Sequence, residues 1–300
     1  MTGFVNKLAL ATSIALGMTA IGSTSAFAGT LTNPQFGGTV DTDVLLYCSN
    51  GSSTFAGPTC TDSLSTILSG NSSSPGGNIE LAASSEQAGF DFTKNTTLTG
   101  TIGGKDIVIS SLTQSDWMTV LGNGKTLLSQ WLDDAFLANN VNIPAILKPV
   151  VEVAFTNLNG RQRFSDPNIS YVNQNDTTGE ISIGLAGHFN VSNLLKDALI
   201  PNNPFLATYI PASLQASELV KVVYDNGPAK YLYSFAATAS GQINGHGVGA
   251  DGISHNGNYE VKLAGVPPVV TSVPEPSTML ALMAVGGLFA TAKRKSAKNA

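Results

Sequence analysis

The sequence predicts an α+β protein, mainly antiparallel β-sheet with a helical insertion, set between two apolar terminal segments. Three observations carry that reading. Short apolar or β-branched runs, bounded by Gly, Asn, Ser and Pro, recur through both halves of the 300-residue chain. Between them, residues 113–158 switch to helical spacing. At the ends, residues 8–21 and 279–292 are apolar runs flanked on one side by cations, the pattern of targeting segments rather than of a folded core.

Taken in order, Lys7 precedes the first apolar run, and Ala26-Phe27-Ala28 places small residues, Ala26 and Ala28, at the two positions that signal peptidase reads. Residues 1–28 are therefore expected to be a secretory signal peptide. Residues 29–265 then form the exported body. Up to about residue 90 the apolar runs 44–47 and 79–82 predict short strands joined by long polar loops. Residues 97–102 and 106–109 flank Gly103-Gly104, a hairpin signal because glycine reaches the positive φ that a tight turn needs.

The helical block opens at Thr113-Gln114-Ser115-Asp116, whose spacing fits a capping box. Gly122-Asn123-Gly124 breaks the first helix, and Leu127, Leu128, Trp131, Leu132 and Phe136 predict a second, with Asp133-Asp134 on or beside its solvent face. Val151, Ala154, Phe155 and Leu158 predict a third, started or kinked at Pro149 and capped at Asn159-Gly160. Strands return at 169–172 and 180–183, and a short helix is expected over 192–199. A long hairpin should join 219–224 to 230–239 through Asp225-Asn226-Gly227-Pro228, and 259–263 forms the last strand. No internal repeat is found.

Of 15 cations and 20 acids, five cations and one acid lie in the two targeting ends, so the body carries 10 against 19, a net charge of −9. Such a surface repels phosphate backbones and disfavours nucleic acid as a partner. Only 12% of residues are charged, against about 25% in ordinary domains. Ser, Thr, Asn and Gly supply the solubility instead, which suits an exported protein. Cys48 and Cys60 are the only cysteines. In an oxidising compartment they are expected to form a disulfide, worth on the order of 3 kcal/mol for a loop of this size; two free thiols are the alternative.

No cofactor and no catalytic or metal set is expected. Residues 247–252 match the spacing of a dinucleotide-binding glycine loop, but no helical pattern follows. The same stretch, with Asp251, matches one turn of a calcium-binding repeat in a single copy. His246 and His255 with Asp251 offer metal-ligand types on a glycine-rich loop that nothing fixes, and Gly124-Lys125-Thr126 reads as a helix start, since the phosphate loop's earlier glycine is Thr119 here. The pairs Asp41/Asp43 and Asp133/Asp134 are the closest carboxylates; neighbours in sequence point apart too often to flank one glycosidic bond. Tyr231 and Tyr233 share one face of a strand pattern and are the candidates for carbohydrate contact, with cross-strand packing as the alternative.

The C-terminus has three parts: Val273-Pro274-Glu275-Pro276-Ser277-Thr278, the apolar run to residue 292, and Lys293-Arg294-Lys295. Two prolines one residue apart hold residues 273–276 extended. Residues 278–292 form a helix of about 22 Å at about 1.5 Å per residue, short of the roughly 30 Å hydrocarbon core. The cations fit the cytoplasmic side, which leaves the body outside. This arrangement resembles the PEP-CTERM sorting signal. The resemblance covers residues 273–295 and concerns trafficking: in that family, found in exopolysaccharide-producing Gram-negative bacteria, an exosortase reads the tail, removes it and delivers the protein to the envelope or extracellular matrix. Residues 266–277 are then a Pro-rich linker carrying the motif, and 278–300 a hydrophobic sorting helix with its basic tail, held transiently in the membrane.

The expected function is that of an exported cell-surface or matrix protein, not an enzyme, associated with extracellular polysaccharide. The alternative is a secreted hydrolase acting on polysaccharide or another extracellular polymer.

Overall fold

The computed structural model describes residues 29–51, 53–188, 190, 192, 196, 200–201, 204–238, 243–244 and 257–268. The main strands are β1 (Thr32–Gly38), β2 (Val44–Ser49), β3 (Ser53–Ala56), β4 (Gly77–Leu81), β5 (Thr96–Ile102), β6 (Lys105–Ser110), β7 (Asn168–Gln174), β8 (Ile181–His188), β9 (Val220–Tyr224), β10 (Lys230–Leu232) and β11 (Gly257–Leu263). They form a smaller sheet in the order β10-β9-β6-β5-β1 and a larger one in the order β11-β8-β7-β4-β2-β3. Pairing among these strands is antiparallel throughout. The α+β reading with a mainly antiparallel sheet holds.

The sheets pack face to face. Leu98, Ile107, Ile109, Val220 and Val222 of the smaller sheet share one buried cluster with Ile79, Leu81, Ile169, Val172, Ile183, Leu185 and Val261 of the larger. Side chains of this kind stabilise by about 1.5–3 kcal/mol each on full burial, so this layer holds the body together. The first hairpin turns at Gly103 and Gly104 with φ of 59° and 78°, as the glycine pair predicts. Cys48 and Cys60 are bonded, with Cα atoms 5.2 Å apart, and tie β2 to the loop after β3.

The helical insertion follows a short earlier helix, α1 (Leu64–Ile67), and contains α2 (Gln114–Trp117), α3 (Leu127–Ala138), α4 (Lys148–Asn157) and α5 (Gly160–Arg163). Thr113 and Asp116 form the capping box that opens α2, and Thr126 caps α3 by accepting from the Ser129 amide. Asn159, in the left-handed region at φ 58°, ends α4. Gly160 opens α5, and the position takes glycine because a Cβ there would sit 2.5 Å from the Phe155 ring. Trp117 and Trp131 meet edge to face at 5.8 Å, and Trp131 lies 4.8 Å from Phe164. Both tryptophans are core residues, with the Trp117 indole N–H donating to Ser165 Oγ at 2.7 Å.

One prediction is corrected here. The second hairpin is short: β9 pairs with β10 only from Val220↔Leu232 to Val222↔Lys230. Beyond it the chain leaves the smaller sheet, exchanging bonds between Ser217 and Ser234, and Ala237–Thr238 joins the edge of the larger sheet against β11. Its turn takes the positive φ at Asp225 and Asn226, 50° and 56°, rather than at Gly227.

The ends of the body meet at one pole. Gly29 pairs with Gln174, and β11 runs out at Leu263 opposite Ile181. The Gln174 amide donates to the carbonyls of Gly179 and Val266 at 3.0 and 2.9 Å, while the Val266 N–H donates to the Tyr224 hydroxyl. The turns after β5, β7 and β9 gather at this pole. The helical insertion leaves from the other end of the sheets, after Ser110 and before Asn168. The predicted helix over 192–199 lies largely outside the described residues, as do the signal peptide, the glycine-rich stretch of 247–255 and the whole C-terminal signal.

Candidate functional site

The two candidate tyrosines lie where the smaller sheet meets the helical insertion. Tyr231 sits in β10 opposite Lys221, and Tyr233 lies just past the strand end. Both rings are half-buried against the aromatic cluster of the insertion, with Tyr233 packed edge-on to Phe235 at 5.5 Å. Their hydroxyls carry the polar contacts. Tyr231 Oη donates to Asp116 Oδ1 at 2.8 Å, which also receives Lys221 Nζ at 2.8 Å. Thr113 donates its backbone N–H and its hydroxyl to the other oxygen, Oδ2, both at 2.8 Å. Tyr233 Oη donates to Asp134 Oδ2 at 2.7 Å, and Gln130 Nε2 donates to Asp134 Oδ1 at 2.7 Å. Asn123 Nδ2 in turn donates to Gln130 Oε1 at 2.6 Å.

Two hydrogen-bond networks make up this polar strip, one around Asp116 with Lys221, Thr113 and Tyr231, the other around Asp134 with Tyr233, Gln130 and Asn123. Burial pushes the Asp116 carboxyl up, but the bonds from Lys221, Thr113 and Tyr231 outweigh it and hold Asp116 below the usual carboxylate range. Burial, with the Asp134 carboxylate beside it, raises the Tyr233 phenol, so its proton stays on at any physiological pH. Asp133 lies partly exposed beside the solvent face of α3. Lys125 and Lys148 both reach it, at 2.7 and 2.5 Å.

A second cluster had no signal in the sequence. Asp166, Glu218 and Glu80 are 5%, 1% and 8% exposed, at the junction of the two sheets with the insertion. Ser85 Oγ donates to Asp166 Oδ2, the Asn168 N–H donates to Glu218 Oε2 at 2.7 Å, and Tyr47 Oη donates to Glu80 Oε2 at 3.1 Å. The other oxygen of Asp166, Oδ1, has no hydrogen-bond donor among the described residues. Burial first, then the charges of Glu218 and Glu80, push the Asp166 carboxyl well above the usual carboxylate range. Among the described residues no group of His, Cys, Asp and Glu is placed to hold a metal ion. Asp166 precedes Pro167 in a Ser-Asp-Pro-Asn string, which reads as an ordinary turn; only the fold brings Glu80 and Glu218 to it.

The C-terminal segment is settled by comparison. Residues 272–295 match the family model described as the PEP-CTERM protein-sorting motif. The chain carries a PEP-CTERM signal. The match spans Val273, Pro274, Glu275, Pro276, Lys293, Arg294 and Lys295. A PEP-CTERM signal implies exosortase processing, export and a place in the cell envelope or at the surface. No helix among the described residues is long and apolar enough to cross a membrane. No curated protein and no solved structure matches the chain.

Proposed function

We propose that this PEP-CTERM protein is a polysaccharide-associated component of the cell surface or matrix, with Tyr231 and Tyr233 at its sugar contact. The observation that carries the reading is the polar strip. Phenol rings pack on the apolar faces of sugars, and the Lys221 ammonium and the Gln130 and Asn123 amides beside them carry more N–H donors than the two networks use, which suits sugar hydroxyls. The location supports it as well. The strip lies toward the end of the sheets that carries the insertion, away from the pole where residue 268 leaves the body. Five residues lie between Pro268 and Pro274, a reach of about 20 Å at full extension, so before the exosortase acts the tail would hold that pole near the membrane and turn the strip outward. Signal peptidase would release the chain before Gly29 at the same pole, after Ala26 and Ala28, and the segment 278–292 would hold the chain in the membrane until the exosortase acts.

Two measurements test this. The first is fractionation of cells with and without the exosortase, with mature termini read by mass spectrometry; full-length protein in the same fraction of both strains would overturn the sorting route. The second is affinity electrophoresis of the processed protein through gels containing the producer's own exopolysaccharide. Retardation should fall for Tyr231→Ala with Tyr233→Ala. Retardation unaffected by the pair refutes the contact face, and release of reducing ends by the purified protein would put the hydrolase reading in its place.

A further inference from the structure

The chain contains a single Asp-Pro bond, Asp166–Pro167, in the turn between α5 and β7. Such a bond differs chemically from other peptide bonds. A side-chain carboxyl can close a five-membered ring on its own peptide carbon, and the tertiary proline amide releases a secondary amine, a readily protonated leaving group. In an exposed turn the carboxyl is ionised and hydrated, and the reaction is slow.

Three features set this bond apart. The attacking group is buried: Asp166 is 5% exposed, Ser85 Oγ donates to its Oδ2, and Oδ1 has no donor among the described residues. The scissile carbonyl already faces an amide, since Asn168 Nδ2 donates to the Asp166 carbonyl oxygen at 3.4 Å. That oxygen gains negative charge when its carbon is attacked, and a loose donor in the resting protein can tighten in the transition state. Finally, the charges acting on Asp166 are acidic: Glu218 just before β9, Glu80 of β4 and Glu86 in the loop after it. Arg163 of α5 is paired with Glu86 at 3.1 Å, and Tyr47 of β2 donates to Glu80. Burial and these charges keep the proton on Asp166 to higher pH than on an exposed aspartate. One side chain thus carries both the nucleophile and the proton that the leaving nitrogen requires.

We propose that Asp166–Pro167 is a self-cleavage site, broken by the Asp166 side chain itself. Oδ1 bonds to the Asp166 carbonyl carbon, the C–N bond to Pro167 breaks, and the carboxyl proton passes to the proline nitrogen. The products are a cyclic anhydride at residue 166 and a free amino terminus at Pro167. Water then opens the anhydride, which restores the Asp166 side chain and leaves an α-carboxyl. The two pieces stay associated, because β4 and β6 of the first pair with β7 and β9 of the second. Cys48–Cys60 lies wholly in the first piece, so denaturation separates them.

The test incubates the processed protein with protease inhibitors from about pH 8 to about pH 4 and reads it by denaturing gel and mass spectrometry. Two pieces, one ending at Asp166 and one beginning at Pro167, are expected, formed faster as pH falls and at a constant rate once Asp166 is fully protonated. Hydroxylamine in the buffer should capture the anhydride as a hydroxamate on residue 166. Asp166→Asn should slow cleavage about a hundred-fold or more, and Pro167→Ala should slow it as well. A bond that stays intact throughout overturns the proposal. Equal rates in urea-unfolded protein overturn it too, because the bond would then break by ordinary acid lability and owe nothing to the fold. Cleavage without a hydroxamate does the same, since water would then be the attacking group. The trap and the unfolded control use the unsubstituted protein, so the test stands even if a variant fails to fold.

Discussion

Asp116 joins three elements through one carboxylate: the start of α2 through Thr113, β9 through Lys221 and β10 through Tyr231. Asp116→Ala removes a helix cap and two charge-assisted bonds and should cost about 2–3 kcal/mol in urea unfolding. Because its folded pKa is depressed, its contribution is present above the unfolded value near pH 4 and is lost as pH falls through the folded value. Asp166 has the opposite sign. Its folded pKa is raised, so its contribution is fully present below about pH 4 and is lost as pH rises through the folded value. Asp166→Asn keeps the shape of the carboxyl without its titration and should flatten the fall in stability from acid to alkaline pH, measured by urea midpoints across that range. The capping box of Asp116 was legible because it depends on a spacing of three residues; its partners 105 and 115 positions away and the convergence of Glu80 and Glu218 on Asp166 were not, since no local pattern records which strands become neighbours.

At the scale of elements, legibility followed the range of the interaction that fixes each one. The hairpin at Gly103-Gly104, the caps at Thr113 and Thr126 and the stop at Asn159 are all set within a few residues, and each stands where the sequence puts it. The hairpin after β9 ended early because the competing partner, β11, lies far along the chain. Gly160→Ala should cost about 1–3 kcal/mol, since the added methyl meets the Phe155 ring; thermal unfolding with an unchanged fluorescence spectrum of the folded state would check it. Reduction of Cys48–Cys60, or Cys48→Ser with Cys60→Ser, should lower stability by about 3 kcal/mol in urea titrations, while the antiparallel pairing of β2 with β4 persists.

For the molecule as a whole, the body should fold without the signals at the two ends. A chain of residues 29–268 should unfold within about 0.5 kcal/mol of the mature protein and be missing from the envelope fraction when expressed behind a heterologous signal peptide. Export and the disulfide agree: a bond between Cys48 and Cys60 belongs to an oxidising compartment. The clamp at Gln174 has one more consequence, a mechanical one. Were the tail to tether the protein, a load applied at the insertion would be carried to it through β11, which lies between Ala237–Thr238 and residues 181–187 of β8. The pull runs along the strand axis, so the seven residue pairs with β8 resist together in shear instead of opening one by one like a zipper, and the tether should give way before the sheet does.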